Sequence, residues 1–190
     1  MSKKIMFNDK FGLTQAVLDG RKTMTRRISK DQIRNSIFCK SGYESIHGYE
    51  IKPKYKVGEV VAIAQSYESV YNEKGLETMD MLVSWLKNHK GWQNKLFVAA
   101  GYMIHHIRIT DIKIERLQDI SDEDCMKEGI IHAYTNNNGI KIYHTPHTKR
   151  GYLSTDVAQE AFAFLINKVS GKGTWESNPY VFVYEFKLID

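Results

Sequence analysis

Gly20-Arg21-Lys22-Thr23-Met24-Thr25-Arg26-Arg27 places four cations and two hydroxyls within eight residues. Ahead of this block Leu13, Ala16 and Val17 recur at helical spacing, and Gly20 stands where a left-handed residue closes a helix. The spacing predicts a helix over 10–19 that stops at Gly20 and delivers the basic block as an extended segment. In an ideal strand Lys22, Met24 and Arg26 face one way, and Arg21, Thr23, Thr25 and Arg27 the other. Lys22 and Thr25 then diverge unless the chain turns between them.

Working outward, Ile5-Met6-Phe7 reads as a short strand, and residues 29–54 as a polar, irregular excursion. The run Val60-Val61-Ala62-Ile63-Ala64 follows a Val57-Gly58-Glu59 turn and fits a buried strand. Leu76, Met79, Leu82, Val83 and Leu86 have helical spacing, so this stretch, with Trp85, reads as packing surface. Residues 103–116 are rich in isoleucine, with a phase shift between Ile109 and Ile112 that points to a bulge or bend. In Ile120-Ser121-Asp122-Glu123-Asp124-Cys125, Ser121 fits an N-cap, Asp124 the reciprocal position, and Ile120 with Cys125 a hydrophobic staple. Gly129 ends that helix. A second polar excursion covers 131–153. A helix over 156–169 then buries Val157, Ala161, Phe162, Leu165 and Val169, and a closing strand runs from Tyr180 to Leu188. The order lacks βαβ repeats and implies an α+β fold: a small, mixed, mostly antiparallel sheet or barrel with flanking helices.

The 190 residues suit one domain, 1–190, with polar insertions near 29–54, 70–100 and 131–153. No apolar run approaches the roughly 18 residues of a membrane helix. Cys39 and Cys125 form no metal or disulfide pattern, and with no export signal both read as reduced thiols of a cytoplasmic protein. Charge is local. Residues 1–30 carry eight Lys or Arg against Asp9 and Asp19, a net of +6, whereas the other 160 residues sum to −1. Such a local field attracts phosphates or other anions, unless it is only a solvated strip.

Glu128 is the second candidate. It sits at the last turn of its helix, where the negative end of the dipole disfavours a carboxylate. There its pKa is expected to rise unless a cation compensates, a useful property in proton transfer. The plain alternative is a solvated residue at a frayed end. His144 and His147 lack a ligand partner at recognisable spacing, and His105-His106 lies in a strand-like run, so no metal is expected. No Gly-rich phosphate loop and no G-x-S-x-G is present.

The block Ala16 to Arg27 resembles the opening helix and G-R-K-T-x-T-x-R signature of the ASCH domain family, in the PUA-like superfamily. The likeness continues in Tyr55-Lys56-Val57-Gly58-Glu59, in Ile109-Thr110-Asp111 through Gly129, and in Trp175 to Phe186, about half the chain in family order. It implies a PUA-like β-barrel with helices flanking a cleft, and a partner that is RNA or a modified nucleoside. One bacterial branch of the family is a metal- and cofactor-independent amidohydrolase that deacetylates N4-acetylcytidine with a lysine, a threonine and a glutamate. Their counterparts here are Lys22, Thr25 and Glu128, with Arg21, Thr23, Arg26 and Arg27 as the binding surround. The length and extra segments look closer to the larger, prophage-type members. The closing Asn178-Pro179-Tyr180-Val181-Phe182 also departs from the tryptophan-rich form.

Three readings follow: a module binding RNA or a modified nucleoside in a basic cleft, an amidohydrolase acting on N4-acylated cytidines, and a protein-interaction domain.

Overall fold

The computed structural model describes residues 3–28, 38–39, 42–44, 50–74, 80–146 and 151–189. In chain order its elements begin with β1 (Lys4–Ile5), α1 (Leu13–Leu18), β2 (Met24–Ile28), β3 (Phe38–Cys39), β4 (Gly42–Glu44), β5 (Glu50–Ile51) and β6 (Val60–Ile63). There follow α2 (Tyr67–Lys74), α3 (Asp80–Lys87), β7 (His106–Arg116), α4 (Asp122–Lys127) and β8 (Ile131–Thr135). The chain ends with β9 (Lys141–His144), β10 (Ser154–Thr155), α5 (Ala158–Ser170) and β11 (Tyr180–Leu188). The fold is α+β with mostly antiparallel strands. No pairing among the described residues closes the strands into a barrel. No described helix is long and apolar enough to cross a membrane.

Two compact units emerge, each assembled from separate stretches of chain: Met1–Phe7 with Val60–Arg108 and Leu188–Asp190, and Asn8–Glu59 with Ile109–Lys187. In the first, β1 lies parallel to β6, and β6 runs antiparallel to His106–Arg108. The apolar run at Val60 is the buried strand its composition predicts, with Val61 and Ile63 fully enclosed. Ala62, Ala64, Val98, Ala100 and Met103 form a core against which Met6 and Tyr67 pack. The helix expected over 76–90 appears as α3, preceded by α2. Leu76 and Met79 lie outside the described residues. Leu86 is buried, but Trp85 is 61% exposed and not the packing residue its spacing implied.

In the second unit α1 buries Leu13, Ala16 and Val17. Gly20 takes φ 71°, and Lys22 N–H returns to the Ala16 carbonyl at 2.8 Å, so the chain turns before β2 begins at Met24. β11 lies between β7 and β2, with Thr25 opposite Tyr184, Arg26 opposite Val183 and Arg27 opposite Phe182. Opposed residues share a face. Thr25 and Arg27 therefore stand with the aromatic residues of β11, and Met24 and Arg26 with Val183 and Glu185. β7 is one unbroken strand, in which consecutive exposure of Thr110 and Asp111 marks the phase shift.

Ser121 caps α4, its hydroxyl accepting from Asp124 N–H at 3.1 Å, while Ile120 and Cys125 are buried. The polar excursions hold more structure than expected. Within 29–54 the described residues form an antiparallel β3-β4-β5 sheet. Within 131–153, β8 and β9 make a hairpin that β10 extends. Asn136 Oδ1 accepts from the N–H groups of Asn138 and Ile140, and Gly139 adopts φ 76°, so Asn136-Asn137-Asn138-Gly139 is turn chemistry. α5 begins at Ala158 and buries Ala161, Phe162, Leu165 and Ile166, leaving Val157 exposed just ahead of it.

Gly129 closes α4 at φ +107°, and a Cβ there would lie 3.3 Å from Leu13 Cδ2 and 3.8 Å from Lys22 Cδ. Gly129→Ala is expected to cost about 1–2 kcal/mol from the left-handed backbone alone, read as a lowered urea midpoint. An unchanged midpoint would show that this turn does not constrain the unit.

Candidate functional site

The Gly20 turn and the end of α4 converge on one ammonium group. Lys22 Nζ donates to Glu128 Oε2 at 2.6 Å, to the Glu128 carbonyl at 2.7 Å and to the Met24 carbonyl at 2.7 Å. Its three protons are thus all engaged. Lys22 is 2% and Glu128 5% exposed, although 106 positions separate them in sequence. Because Lys22 precedes the strand, ideal-strand alternation does not govern it. The turn sets its ammonium beside the carbonyl of the peptide leading into Thr25.

Arg26 lies on the far side of Glu128. Its Nη1 donates to Glu128 Oε1 at 3.3 Å, its Nη2 to Asp124 Oδ2 at 3.0 Å and to Glu115 Oε1, and its Nε also reaches Glu115 Oε1 at 3.0 Å. The guanidinium also stands 5.9 Å from the centre of the Phe162 ring. Lys113 joins from β7, 2.9 Å from Glu115 and 3.3 Å from Asp124. Asp124 therefore completes no capping box. Its carboxylate turns to Arg26 and Lys113, because an ion pair with a buried guanidinium outweighs a bond to one amide.

Burial pushes the Lys22 pKa down, Glu128 opposes this, and Arg27 and Arg26 add to the lowering, leaving it below 10.5. Burial likewise lowers Arg27, against the pull of Tyr55, Glu128 and Tyr184. For Arg26 burial is outweighed by Glu128 and Glu115, and its pKa rises. Burial raises the Asp124 carboxyl, but hydrogen bonds from Arg26 and Lys113 win and hold it below 3.8. Burial also pushes the Cys125 thiol up to about 12, as fits a packing residue.

The other sequence candidates divide. Thr25, 5% exposed, sits on the face of β2 that carries Tyr184, whose ring meets Tyr55 edge-on at 5.2 Å. No described residue hydrogen-bonds the Thr25 hydroxyl. Arg27 shares that face. Thr23 contributes backbone, its N–H bonding the Lys127 carbonyl and its carbonyl accepting from Phe186 N–H. Arg21 turns outward to pair with Asp19 at 2.7 Å. Sequence reasoning missed Glu115 and Lys113. Two residues apart on a strand, these opposite charges share a face, and that pattern is the signal that would have found them. No group of three or more His, Cys, Asp or Glu among the described residues is placed to hold a metal. His147 lies outside them.

No family model matches the chain. No curated protein matches it either. Among solved structures, it is similar to an ASCH domain from Lactobacillus crispatus JV V101. The two share 12% identity with a TM-score of 0.42, over 98% of this chain and 78% of that one.

Removing one partner of a buried pair leaves an uncompensated charge, so Glu128→Ala is expected to cost about 3–5 kcal/mol. In Lys22→Met with Glu128→Leu only part of that loss should return, because the Met24 and Glu128 carbonyls lose the donor that Lys22 supplies. Chemical denaturation of the three proteins checks both, and a harmless Glu128→Ala would mean that Lys22 is not held by this carboxylate. For Asp124, the unfolded chain binds its proton more readily than the folded one. Its stabilisation is therefore full above pH 3.8 and lost as pH falls through its lower folded value. Asp124→Asn should flatten the acid limb of the stability profile below about pH 4, and an unaltered limb would assign that limb to other carboxyls.

Proposed function

We propose that this protein is an ASCH-type domain that binds a nucleoside, or a modified base carried by RNA, beside the Lys22–Glu128 pair. The contact of these two residues at 2.6 Å in a buried setting carries the reading. Each stood out separately in the sequence, one from the basic block and one from its place against a helix dipole. The ligand is a base more than a phosphate backbone, because three of the four cations of the block are occupied. Arg26 is fully buried among three carboxylates, Lys22 is saturated, and Arg21 faces Asp19. A salt-dependent phosphate track needs cations that can exchange counterions for phosphates. Thr25, Arg27, Tyr55 and Tyr184 offer instead a hydroxyl, a cation and aromatic edges, a set matched to a heterocycle.

The depressed pKa of Lys22 and a Thr25 hydroxyl with no partner among the described residues favour a second step at the same place, hydrolysis of an N4-acyl group. In this scheme Lys22 passes a proton to Glu128 and becomes an amine. The amine takes the proton of Thr25 as its oxygen bonds to the acyl carbon. The C–N bond breaks, Glu128 protonates the departing amine, and water then cleaves the threonine ester to release the carboxylic acid.

Calorimetric titration with cytidine and N4-acetylcytidine, alongside the absorbance change on deacetylation, tests both steps. Saturable binding that barely changes between 50 and 200 mM salt is expected, the range over which phosphate-backbone binding weakens steeply. Turnover is expected to vanish in Thr25→Ala, a variant that breaks no described side-chain bond. Binding without turnover would remove the hydrolytic step alone. No binding of any nucleoside would overturn the proposal.

A further inference from the structure

In a chain with 22 acidic residues, positions 81–110 contain none, yet they hold Lys87, Lys90, Lys95 and Arg108 with three histidines. All of this stretch but its last two residues belongs to the first compact unit. The same stretch leaves large rings in solvent: Trp85 at 61%, Phe97 at 49% and Tyr102 at 62% exposure. Among the described residues, no packing in that unit covers the outer surfaces of these rings. Their cost in exposed apolar area is unexplained by folding, and surfaces of that kind mark binding sites.

The rings are fixed in a chain. Trp85 meets His89 with centroids 5.4 Å apart, His89 meets Tyr67 at 5.5 Å, and Tyr67 meets Tyr102 at 5.7 Å. Gly91 makes this possible, since a Cβ there would come 2.7 Å from the Tyr67 ring and 3.0 Å from His89 Nδ1. The Gly91 N–H donates to His89 Nδ1 at 2.9 Å, which places the ring proton of neutral His89 on Nε2. That Nε2–H has no partner among the described residues. Lys90 Nζ stands 5.9 Å from the centre of the Phe97 ring, and neither Lys87 nor Lys90 forms an ion pair among the described residues.

We infer that this surface binds single-stranded nucleic acid, with unpaired bases stacking on Trp85 and Tyr102 and phosphates held by Lys90, whose ammonium stands over the neighbouring Phe97 ring. Flat rings held at intervals offer a face to any base, and uncompensated lysines follow the backbone without reading sequence. An anionic membrane would also meet lysines and tryptophan. Here, however, the exposed set alternates with Asn88, Gln93 and Asn94, and Leu96 is its one large exposed aliphatic side chain among described residues 84–102, which is poor for insertion into acyl chains. The inference is independent of the nucleoside reading, which concerns residues of the other unit.

Fluorescence anisotropy of the full chain with twelve-nucleotide oligouridylate and oligothymidylate tests it, with a duplex of equal length and phosphatidylserine vesicles as comparators. Both single strands should bind more tightly than the duplex. Trp85→Ala and Tyr102→Ala should each weaken binding by about 5- to 100-fold. Lys90→Gln should reduce the salt slope by about 0.7. All three side chains are exposed, so these variants keep the fold, and nucleoside binding should be unchanged in each. Equal affinity of the ring variants and the native chain would overturn the inference, as would preference for duplex or binding to vesicles alone. Uridylate binding without thymidylate binding would also count against it, because stacking and backbone charge do not distinguish the two.

Discussion

An ammonium group has three protons, and those of Lys22 tie together three parts of the second unit. One reaches the Met24 carbonyl on the side of β2 that faces away from β11. Left alone, that carbonyl would be an unsatisfied acceptor on a strand edge. Another reaches the Glu128 carbonyl, one of the orphan acceptors at the end of α4. The third reaches the Glu128 carboxylate. The turn after α1, the edge of β2 and the end of α4 are therefore fixed by a single side chain. Arginine would not replace it easily, because a planar fork cannot direct three donors tetrahedrally.

Glu128 is tolerable against the helix dipole only because Lys22 and Arg26 approach it from two sides. A buried charge brings a desolvation cost that is recovered only when every partner is present. The network is accordingly broad: Arg26 binds Glu115 and Asp124 as well as Glu128, and Lys113 binds both Glu115 and Asp124 nearer the solvent. A lone Lys–Glu pair in this setting would tend to neutralise by proton transfer. Here further charges surround the pair, and burial leaves the Lys22 pKa depressed.

Much of this was readable in the sequence, and the gaps have physical causes. Local signals, such as the Gly20 stop, the Ser121 cap and the closing strand from Tyr180 to Leu188, concern neighbours along the chain and were recovered. Glu128 was legible because its position conflicts with a local rule, and such conflicts mark places where tertiary contacts decide. Asp124 was misread for the complementary reason. Capping explained it locally, so nothing pointed to a guanidinium 98 residues away. The stretch 131–153 reads as a polar excursion because its alternation is weak. Half-exposed strands carry little apolar signal of their own. Trp85 erred in the opposite direction: helical spacing shows that residues share a face, but not that anything covers it.

Charge counted along a sequence and charge available at a surface are different quantities, and this protein separates them. The most basic segment, around Lys22 and Arg26, has its field largely cancelled, because partners from β7 and α4 arrive through the fold. The stretch 81–110 attracts no notice by net charge, since its lysines are spread among apolar and amide residues. No acid lies within it, and among the described residues none pairs with Lys87 or Lys90. Exposed lysines beside exposed rings can exchange counterions for phosphate and water for a base. A saturated ammonium beneath a strand edge can do neither, and its chemistry is confined to the protons it already shares. The two kinds of cation therefore suit different tasks, attraction of a polyanion in one unit and proton handling in the other.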